Sequence, residues 1–524
     1  MASLKESDTS TNENEQNTMT DPQFINHNNN TVSNRNRSNR NLNNNNNDSS
    51  MEDEIDNELT AEEYGAPEPE RNPGSDSISF FSPEFAPQRK HIAWKFLINM
   101  LALCTLIMAA FSIYWGSYYD RQNYLKNLNF LVVIGDERIN GVEPIFGNTM
   151  NQILSTPFAK QIGDWHIYDY QNFANEASKR GNTVEEEILR QVHHQKYWAS
   201  IYLKPEATLN YQNALENGDS NYNITANTIV VHYETGRDFL NMNSYIIPQI
   251  QKIEKQWLKL QPNTIEKIIN NQILIDSTSK IQIISTPLSF EYIDRIPSND
   301  AILIAPLQVG NIYMILLTFF AANFFTNTHM RIARTRLNKL HYLVYRWMTS
   351  VLSFAVLSIF FGLISLAFQV DFTVTYGRSG FLVYFCITWL TMIGVGLANE
   401  IAIMIIVGII QIPALLSCWM ISWIILNISP SFSSMALTNN FYRYGYAMPT
   451  YNAFESTKTV FFDVYKGALG RHFGILVAWI VVLTVIFPFV LIKFGRNMAK
   501  KGQREAAEAI SKAKAQLENE KSGA

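Results

Sequence analysis

The stretch IAWKFLINMLALCTLIMAAFSIYW, residues 92–115, decides the fold class of this chain. Its one charged residue, Lys95, stands near its start, where a long side chain can reach the headgroup region of a bilayer. About 20 consecutive apolar residues are enough for a helix to cross the hydrocarbon core. The stretch therefore predicts a transmembrane helix. The polar region before it is not predicted to be a signal peptide, since no apolar run appears before about residue 92.

Five further apolar runs of similar length follow it. We number the six predicted spans in chain order, the first being residues 92–115. The others lie at about 303–326, 347–369, 381–399, 401–427 and 472–493. The sequence thus predicts an α-helical integral membrane protein with six spans, five of them in a membrane domain at 303–493.

The orientation follows from the basic residues beside the spans, because cytoplasmic flanks carry an excess of Lys and Arg. One side has Arg89, Lys90, Lys95, Arg331, Arg334, Arg336, Lys339, Arg346, Lys493, Arg496, Lys500, Lys501 and Arg504. The short connections on the other side have Arg378, Arg443, Lys458, Lys466 and Arg471. Both termini are therefore predicted to be cytoplasmic.

Residues 116–302 are then predicted to form an extracytoplasmic domain between spans 1 and 2. Its apolar, β-branched segments predict four strands, at 129–137, 197–205, 227–234 and 280–286. Helical spacing of apolar residues appears at 182–195 and 243–261, with Pro248 marking a start or a kink. The expected fold is α+β. Asn223, in the sequon NIT, is a predicted glycosylation site, whereas the sequon at Asn427 lies at a span end and is discounted.

The two ends of the chain are polar. Residues 1–88 include the Asn-rich NRNRSNRNLNNNNNDSS (34–50) and an acidic run at 51–70, which cannot bury enough apolar surface to fold. They are predicted to be a disordered cytoplasmic tail. Residues 494–524 contain good helix formers and are predicted to be a cytoplasmic helical tail.

Motifs for chemistry are missing from the sequence. It has no G-x-x-x-x-G-K-[ST], no H-E-x-x-H and no pair of C-x-x-C motifs. His193 and His194 would point about 100° apart on a helix, and His166 beside Asp164 and Asp169 is read as part of a surface strand rather than as a general base. We expect no catalytic residue, cofactor or metal, and no nucleic-acid partner.

Polar residues inside the predicted spans are candidates for a path through the membrane. Glu400 has two interpretations: an intramembrane carboxylate that binds a proton or cation, or a hydrated residue in a tight cytoplasmic turn, with Asn399 capping the next helix. The turn is favoured. Other polar residues could line a path or only bond between helices; these are Asn311, Asn323 and Gln411. Gly394 and Gly396 suit close helix packing.

The stretch NNFYRYGYAMPTYNAF (439–454) lies in the predicted outer loop, residues 428–471, between spans 5 and 6. Tyr and Phe favour the headgroup level, and Gly445 and Pro449 permit a re-entrant hairpin or an interfacial helix. We predict an outer cap of the membrane domain. Sealing of the bundle is favoured over ligand contact, and both interpretations stay open.

The layout of one span, a large domain and five spans resembles type-two ABC exporter permeases and phage-infection-protein-like membrane proteins. Two segments resemble the paired ectodomain signatures of that group, namely GSYYDRQNYLKNLNFLVVIGDE (116–137) and YWASIYLKPEA (197–207). More specific motifs resemble the fungal nitrosoguanidine-resistance membrane protein family. They are GLANE (396–400), NISPSF (427–432), YRYGYAMPTYNAFESTKTVFF (442–462) and GRHFGILVAW (470–479). The resemblance covers about residues 90–497.

The resemblance implies a plasma-membrane protein that contributes to resistance to toxic small molecules, by transporting them or by influencing lipid organisation. The implied partners are membrane lipids, small-molecule toxicants and a protein partner or second copy. Because the chain has no nucleotide-binding domain, active pumping would need a partner. The alternative is a non-transporting regulator or scaffold, and the missing catalytic residues argue against an enzyme. The motif residues expected to matter are Asn399, Glu400, Tyr444, Gly445, Tyr446, Pro449, Tyr451 and Asn452.

Overall fold

The structure is a computed structural model that describes residues 79–139, 141–270, 273–335 and 337–522. The predicted disordered tail lies outside these residues except for 79–88. Residues 79–90 contain a short 3₁₀ helix, Pro83–Phe85, and the start of the first long helix, Ala86–Gly116. The α-helix thus begins just before the predicted end of the tail.

Six helices in the described part of the chain are long and apolar enough to cross a membrane. Their number and order agree with the prediction. Spans 1 to 6 are Pro83–Gly116, Ala301–Arg334, Lys339–Ala367, Thr373–Ile410, Leu415–Phe432 and Leu469–Lys514. The helix of span 6 continues to Ser522, so the predicted C-terminal helical tail is an extension of that span.

The prediction that Asn399 and Glu400 form a turn between spans 4 and 5 is wrong. Both residues lie within the α-helix Gly380–Ile403, which continues as a π-helical segment, Met404–Ile410. The chain turns instead at Gln411, whose φ is 62°. The helix continues past the polar pair because partners from other spans bind both side chains.

Residues 117–300, which we call the sheet domain, contain a five-stranded sheet. The strands are β1 Asn129–Ile134, β2 Asp164–Asp169, β3 Ala199–Leu203, β4 Ile229–Tyr233 and β5 Glu291–Asp294, in the spatial order β2-β1-β3-β4-β5. All neighbouring strands are parallel except the antiparallel pair β3 and β4. Eight helices are interleaved with them: α1 Ile145–Leu154, α2 Pro157–Ile162, α3 Tyr170–Ser178, α4 Val184–His193, α5 Ala207–Asn217, α6 Ile224–Thr228, α7 Ile247–Ile269 and α8 Thr278–Ser285.

The sheet is buried on both faces, which explains the nearly continuous apolar sequence of β1. Phe130 and Val132 pack into the core under α1 and α7, whereas Leu131 and Val133 pack into a second cluster that includes Ile188 of α4. The sheet domain therefore has three layers, with helices on each side of the sheet.

The segment assignments of the sheet domain were mostly confirmed. Strands β1, β3 and β4 lie within predicted strands, α4 lies within 182–195, and Pro248 stands in the first turn of α7. KIQIIST at 280–286, however, was predicted as a strand and is mostly helical, in α8. Short apolar runs have no decisive period, and Ser277 caps this helix by accepting from the Lys280 backbone N–H.

Residues 433–468, which we call the cap, connect spans 5 and 6. They contain two 3₁₀ helices, Met435–Leu437 and Asn440–Ala447, and the helix α9, Pro449–Phe461. The cap lies at the same end of the spans as the sheet domain, because Leu437 is fully buried in the sheet-domain core and Asn127 donates to the Ala436 carbonyl at 3.2 Å. The sequence left a re-entrant hairpin and an interfacial helix open, and the structure has the helix α9 in this segment.

Asn223 tests on which side of the membrane the sheet domain lies. Its exposed side chain caps α6, and its Oδ1 accepts from the Ala226 N–H at 3.1 Å. If the domain is extracytoplasmic, Asn223→Gln should abolish an endoglycosidase-sensitive mobility shift of the full chain made in eukaryotic cells. Asn427→Gln should leave that shift unchanged, because Asn427 is fully buried. A wild-type chain without a glycan would contradict the predicted orientation.

Gly396 allows spans 3 and 4 to approach closely. A Cβ at Gly396 would lie 2.5 Å from Cε2 of the buried Phe354 ring, whereas one at Gly394 would meet Trp479 Cβ at 3.7 Å, an ordinary contact. We expect Gly396→Ala to lower the free energy of unfolding by about 1–3 kcal/mol through overpacking. Gly394→Ala should leave it unchanged or raise it by up to about 1 kcal/mol. Denaturant titration in detergent micelles measures both, and equal effects would contradict the packing difference.

Candidate functional site: a polar cavity between the sheet domain and the cap

A polar cavity of about 1190 Å³ lies between the sheet domain and the cap. Its walls come from four parts of the chain: the sheet domain, the end of span 5, the cap and the start of span 6. The lining residues used below are Lys126, Asp164, Lys196, Trp198, Arg237, Asp238, Asn241, Ser431, Ser433, Arg443, Tyr446, Tyr451, Glu455, Lys458 and Arg471. Six of them are cationic and three are carboxylates, so the lining carries a surplus of positive charge.

Arg237 forms the sheet-domain wall of the cavity. Its guanidinium donates to the carbonyls of Tyr197 and Gln195 at 2.6 and 3.2 Å and lies 3.8 Å from the centre of the Trp198 ring. Burial lowers the pKa of Arg237 to about 10, so the side chain remains charged at neutral pH. These contacts fix the guanidinium in one place.

Lys458 of α9 joins the cap to this wall. Its Nζ donates to the Arg237 carbonyl at 2.6 Å and pairs with Glu455 Oε1 at 2.8 Å, and the residue is only 3% exposed. A lysine this deeply buried needs such partners, because an unpaired ammonium would be costly to desolvate. Lys458 therefore links the two walls of the cavity.

A second link runs through Arg121, just after span 1. Its guanidinium donates to Asn241 Oδ1 and to Ser433 Oγ, each at 3.0 Å, and stacks on the Tyr118 ring at 4.1 Å. Asn241 in turn donates to the Asp238 carboxylate at 2.9 and 3.0 Å. Burial raises the pKa of Asp238, although the nearby Lys458 opposes this effect.

The motif residues of the cap are brought together at the cavity. Tyr446 and Tyr451 line it, with ring centres 5.4 Å apart, and burial strongly raises the pKa of Tyr451. Asn452 lies behind them: its Nδ2 donates to the carbonyls of Tyr446 and Met448 at 3.0 and 2.8 Å, and its Oδ1 is 2.8 Å from His472 Nδ1. Asn452 thus fixes the backbone that presents the two tyrosines.

Three other motif residues shape the cap. Gly445 lies so close to the end of span 5 that an added Cβ would be 2.7 Å from Pro430 Cγ. Pro449 occupies the first turn of α9, where a missing N–H costs nothing. Tyr444 packs against Phe441, and its hydroxyl is buried without a hydrogen-bond partner among the described residues.

Asn399 and Glu400 are distant from this cavity and bond within the spans. Asn399 Nδ2 donates to the Ile315 carbonyl at 3.1 Å and to Thr318 Oγ1 at 3.2 Å, and its Oδ1 accepts from Trp419 Nε1 at 3.1 Å. It therefore ties span 4 to spans 2 and 5. Glu400 Oε2 lies 3.0 Å from the Arg346 guanidinium of span 3, and both residues are buried.

The remaining candidates do not converge with these residues. Asn311 is buried and bonds to the Leu307 carbonyl of its own helix at 2.7 Å. Asn323 is exposed and bonds to the Phe319 carbonyl at 3.2 Å, and Gln411 lies exposed in the turn after span 4. The structure gives each of the three a local role.

An apolar groove of about 480 Å³ reaches the same end of span 5 as the polar cavity. Phe432, the last residue of span 5, lines the groove, whereas Ser431 and Ser433 on either side of it line the polar cavity. The groove lies between spans 1, 2 and 5. Its lining is Phe111, Tyr114, Trp115, Gln308, Val309, Ile312, Ile425, Ile428 and Phe432. An apolar space and a cationic space are thus both lined by residues at the end of span 5.

Sequence reasoning missed the cations that join the walls. Lys458 gave a signal, since it lies in an otherwise uncharged stretch, STKTVFF, of a segment already singled out. Arg121 is part of the motif GSYYDRQNYLKN but was not chosen. Arg237 gave no local signal, because its partners come from other segments.

A family model described as "Protein of unknown function (DUF3533)" matches residues 99–485. The chain belongs to this family. The matched region extends from span 1 into span 6. Every residue of the polar cavity described above therefore lies inside it.

This DUF3533 chain is also 36% identical over 442 residues to "Uncharacterized endoplasmic reticulum membrane protein YJR015W" of Saccharomyces cerevisiae. The alignment covers 81% of this chain and 85% of the relative. No solved structure matches the chain. With six candidate spans, this is a multi-pass membrane protein. Neither printed description mentions resistance, transport or ABC exporters, so those remain predictions.

Proposed function

We propose that the protein binds amphipathic molecules at the membrane surface and moves or redistributes them, and that lipids and lipid-soluble toxicants are its cargo. The observation that carries this proposal is that consecutive residues at the end of span 5 line two different spaces: Phe432 lines the apolar groove, and Ser431 and Ser433 line the cationic cavity. A lipid has the same division, with apolar chains joined to a polar headgroup. Resistance to toxic compounds would follow from their removal or from altered lipid organisation.

The dimensions of the two spaces support this cargo class. Ligand sites of drug-sized molecules occupy about 300–1,000 Å³. The groove, at about 480 Å³, and the cavity, at about 1190 Å³, are each of that order. The proposed activity needs no bond breaking, in agreement with the sequence, and energy for uphill transport would come from a partner.

A non-transporting regulator or scaffold is the second candidate. The contacts of Asn399 and Glu400 favour it. Asn399 forms hydrogen bonds to spans 2 and 5, and Glu400 pairs with Arg346 of span 3, so both side chains connect spans instead of lining a transport path. In this case the sheet domain would bind a protein partner or a second copy. The sheet domain would be extracytoplasmic and both termini cytoplasmic in either case. The yeast relative's description favours the endoplasmic reticulum over the predicted plasma membrane.

The test measures retention of a fluorescent phospholipid analogue and of a labelled toxic compound in deletion and overexpressing cells. Transport predicts opposite changes in the two strains. Ile428→Trp, which fills the groove, should abolish the effect of overexpression at matched abundance. Val481→Trp, on the exposed face of span 6, is the control and should retain it. Unchanged retention of both cargoes in both strains would favour the scaffold.

A further inference from the structure

We propose that the polar cavity recognises the headgroup of an anionic phospholipid, with Arg443 and Arg471 contacting the phosphate. This inference rests on the proposed function and specifies its cargo. Its basis is a difference between the cationic side chains of the lining. Some already bind groups of the protein, whereas others do not pair with a carboxylate among the described residues.

Arg237 and Lys458 already bind other groups of the protein. Arg237 donates to two carbonyls and stacks on Trp198, and Lys458 is bound to the Arg237 carbonyl and Glu455. Both are held by short contacts on several sides. They contribute positive potential to the cavity, but their donors are largely used.

Arg443 and Arg471 are exposed, and within the described ranges neither pairs with a carboxylate. Arg471 lies 5.9 Å from the centre of the Tyr446 ring, and both side chains line the cavity. A guanidinium presents a planar fork of donors that matches the oxygens of a phosphate. These two side chains are therefore the available anion ligands.

The carboxylates of the lining do not neutralise these arginines. Glu455 pairs with Lys458 at 2.8 Å, and Asp164 pairs with His166 at 3.1 Å. Asp238 is buried and accepts from Asn241. Because the three carboxylates bind other partners, the positive charge of Arg443 and Arg471 is not neutralised. The cavity therefore favours a ligand with net negative charge.

The apolar groove at the end of span 5 identifies the source of the phosphate. Soluble phosphate could use the same arginines but would leave the groove beside Phe432 empty. An anionic phospholipid places its headgroup in the cavity and an acyl chain in the groove. A zwitterionic lipid fits the groove equally well, but its headgroup carries a cation into a site that already has a positive surplus.

The test uses the purified full-length chain in detergent and native mass spectrometry. The probes are dioleoyl-phosphatidylglycerol and dioleoyl-phosphatidylcholine, which share acyl chains and differ in net headgroup charge. We expect preferential retention of the anionic lipid. Arg443→Gln/Arg471→Gln should lower that preference by about 10-fold, the scale of two weakened charge-assisted contacts. Arg378→Gln is the control, since Arg378 is an exposed arginine near the start of span 4 that does not line the cavity.

Each outcome is informative. Equal retention of the two lipids, reduced for both by Ile428→Trp, would overturn the headgroup inference and leave the proposed function standing. Retention of neither lipid would count against the proposed function itself. Displacement by inorganic phosphate with no effect of Ile428→Trp would assign the site to soluble phosphate. Each single arginine variant, checked for unchanged melting temperature, replaces the double variant if that one fails to fold.

Discussion

Replacing Arg346 by methionine is expected to lower the free energy of unfolding by about 3–5 kcal/mol, the usual cost of removing one partner of a buried ion pair. The Arg346 guanidinium lies 3.0 Å from Glu400 Oε2, and the two side chains are only 10% and 4% exposed. Without Arg346, an uncompensated carboxylate would remain between spans 3 and 4. Denaturant titration of the full chain in micelles measures the loss.

The double variant Arg346→Met/Glu400→Gln separates the cost of an unpaired buried charge from the cost of altered side-chain packing. It should recover most of the stability lost in Arg346→Met, because it leaves no unpaired charge in the bundle. Additive losses in the two single variants would contradict the pairing. The same series tests the functional interpretation of Glu400. If Glu400 binds a proton or cation, the double variant should fold normally and still abolish the cargo changes in cells.

Replacing Lys458 by methionine is expected to loosen the contact between α9 and the segment around Arg237, at a cost of about 2–4 kcal/mol. The substitution keeps an unbranched side chain but removes the ammonium, which binds the Arg237 carbonyl and Glu455 and lies 5.0 Å from the centre of the Phe454 ring. The carbonyl and the carboxylate then lose a charged partner while partly buried. Hydrogen exchange should show faster opening of both α9 and the segment around Arg237, whereas the core of β1 stays protected.

Lys466→Met is the matched control. Lys466 also belongs to the cap and also pairs three residues away, with Asp463 at 2.7 Å, but both side chains are about half exposed. An exposed pair contributes roughly 0–1 kcal/mol, so this variant should behave nearly as the wild type. Equal losses for Lys458→Met and Lys466→Met would show that position in the cap, rather than burial, sets the cost.

The sequence predicted the membrane architecture well because a bilayer imposes a simple length rule on apolar segments. The same rule misplaced the turn after span 4. Asn399 and Glu400 looked like an interruption, since their partners Thr318, Trp419 and Arg346 belong to other spans. Local composition does not distinguish polar residues that bind each other within a helix bundle from polar residues in a turn. Strand β5, only Glu291–Asp294, was too short and polar to be recognised.

The site was predictable only in its cap portion. Tyr446, Tyr451 and Asn452 were selected from one unusual segment, and the structure places all three at the cavity or directly behind it. The opposite wall depends on tertiary contacts of Arg121 and Arg237. Nothing in the residues neighbouring Arg237 in sequence indicates that a lysine more than two hundred positions later will bind its carbonyl.

The contacts between the sheet domain and the cap impose an order on biogenesis. The Ile113 carbonyl accepts from Tyr442, and Arg121 donates to Ser433, so span 1 and its neighbour meet partners made some three hundred residues later. At about 5–20 residues per second, ribosomal synthesis takes roughly 15–60 s to deliver those partners. During that interval the docking face of the newly made sheet domain stands in water. A polar, charged surface is less prone to aggregate than an apolar one, so the polar composition of the cavity wall also protects the unfinished chain.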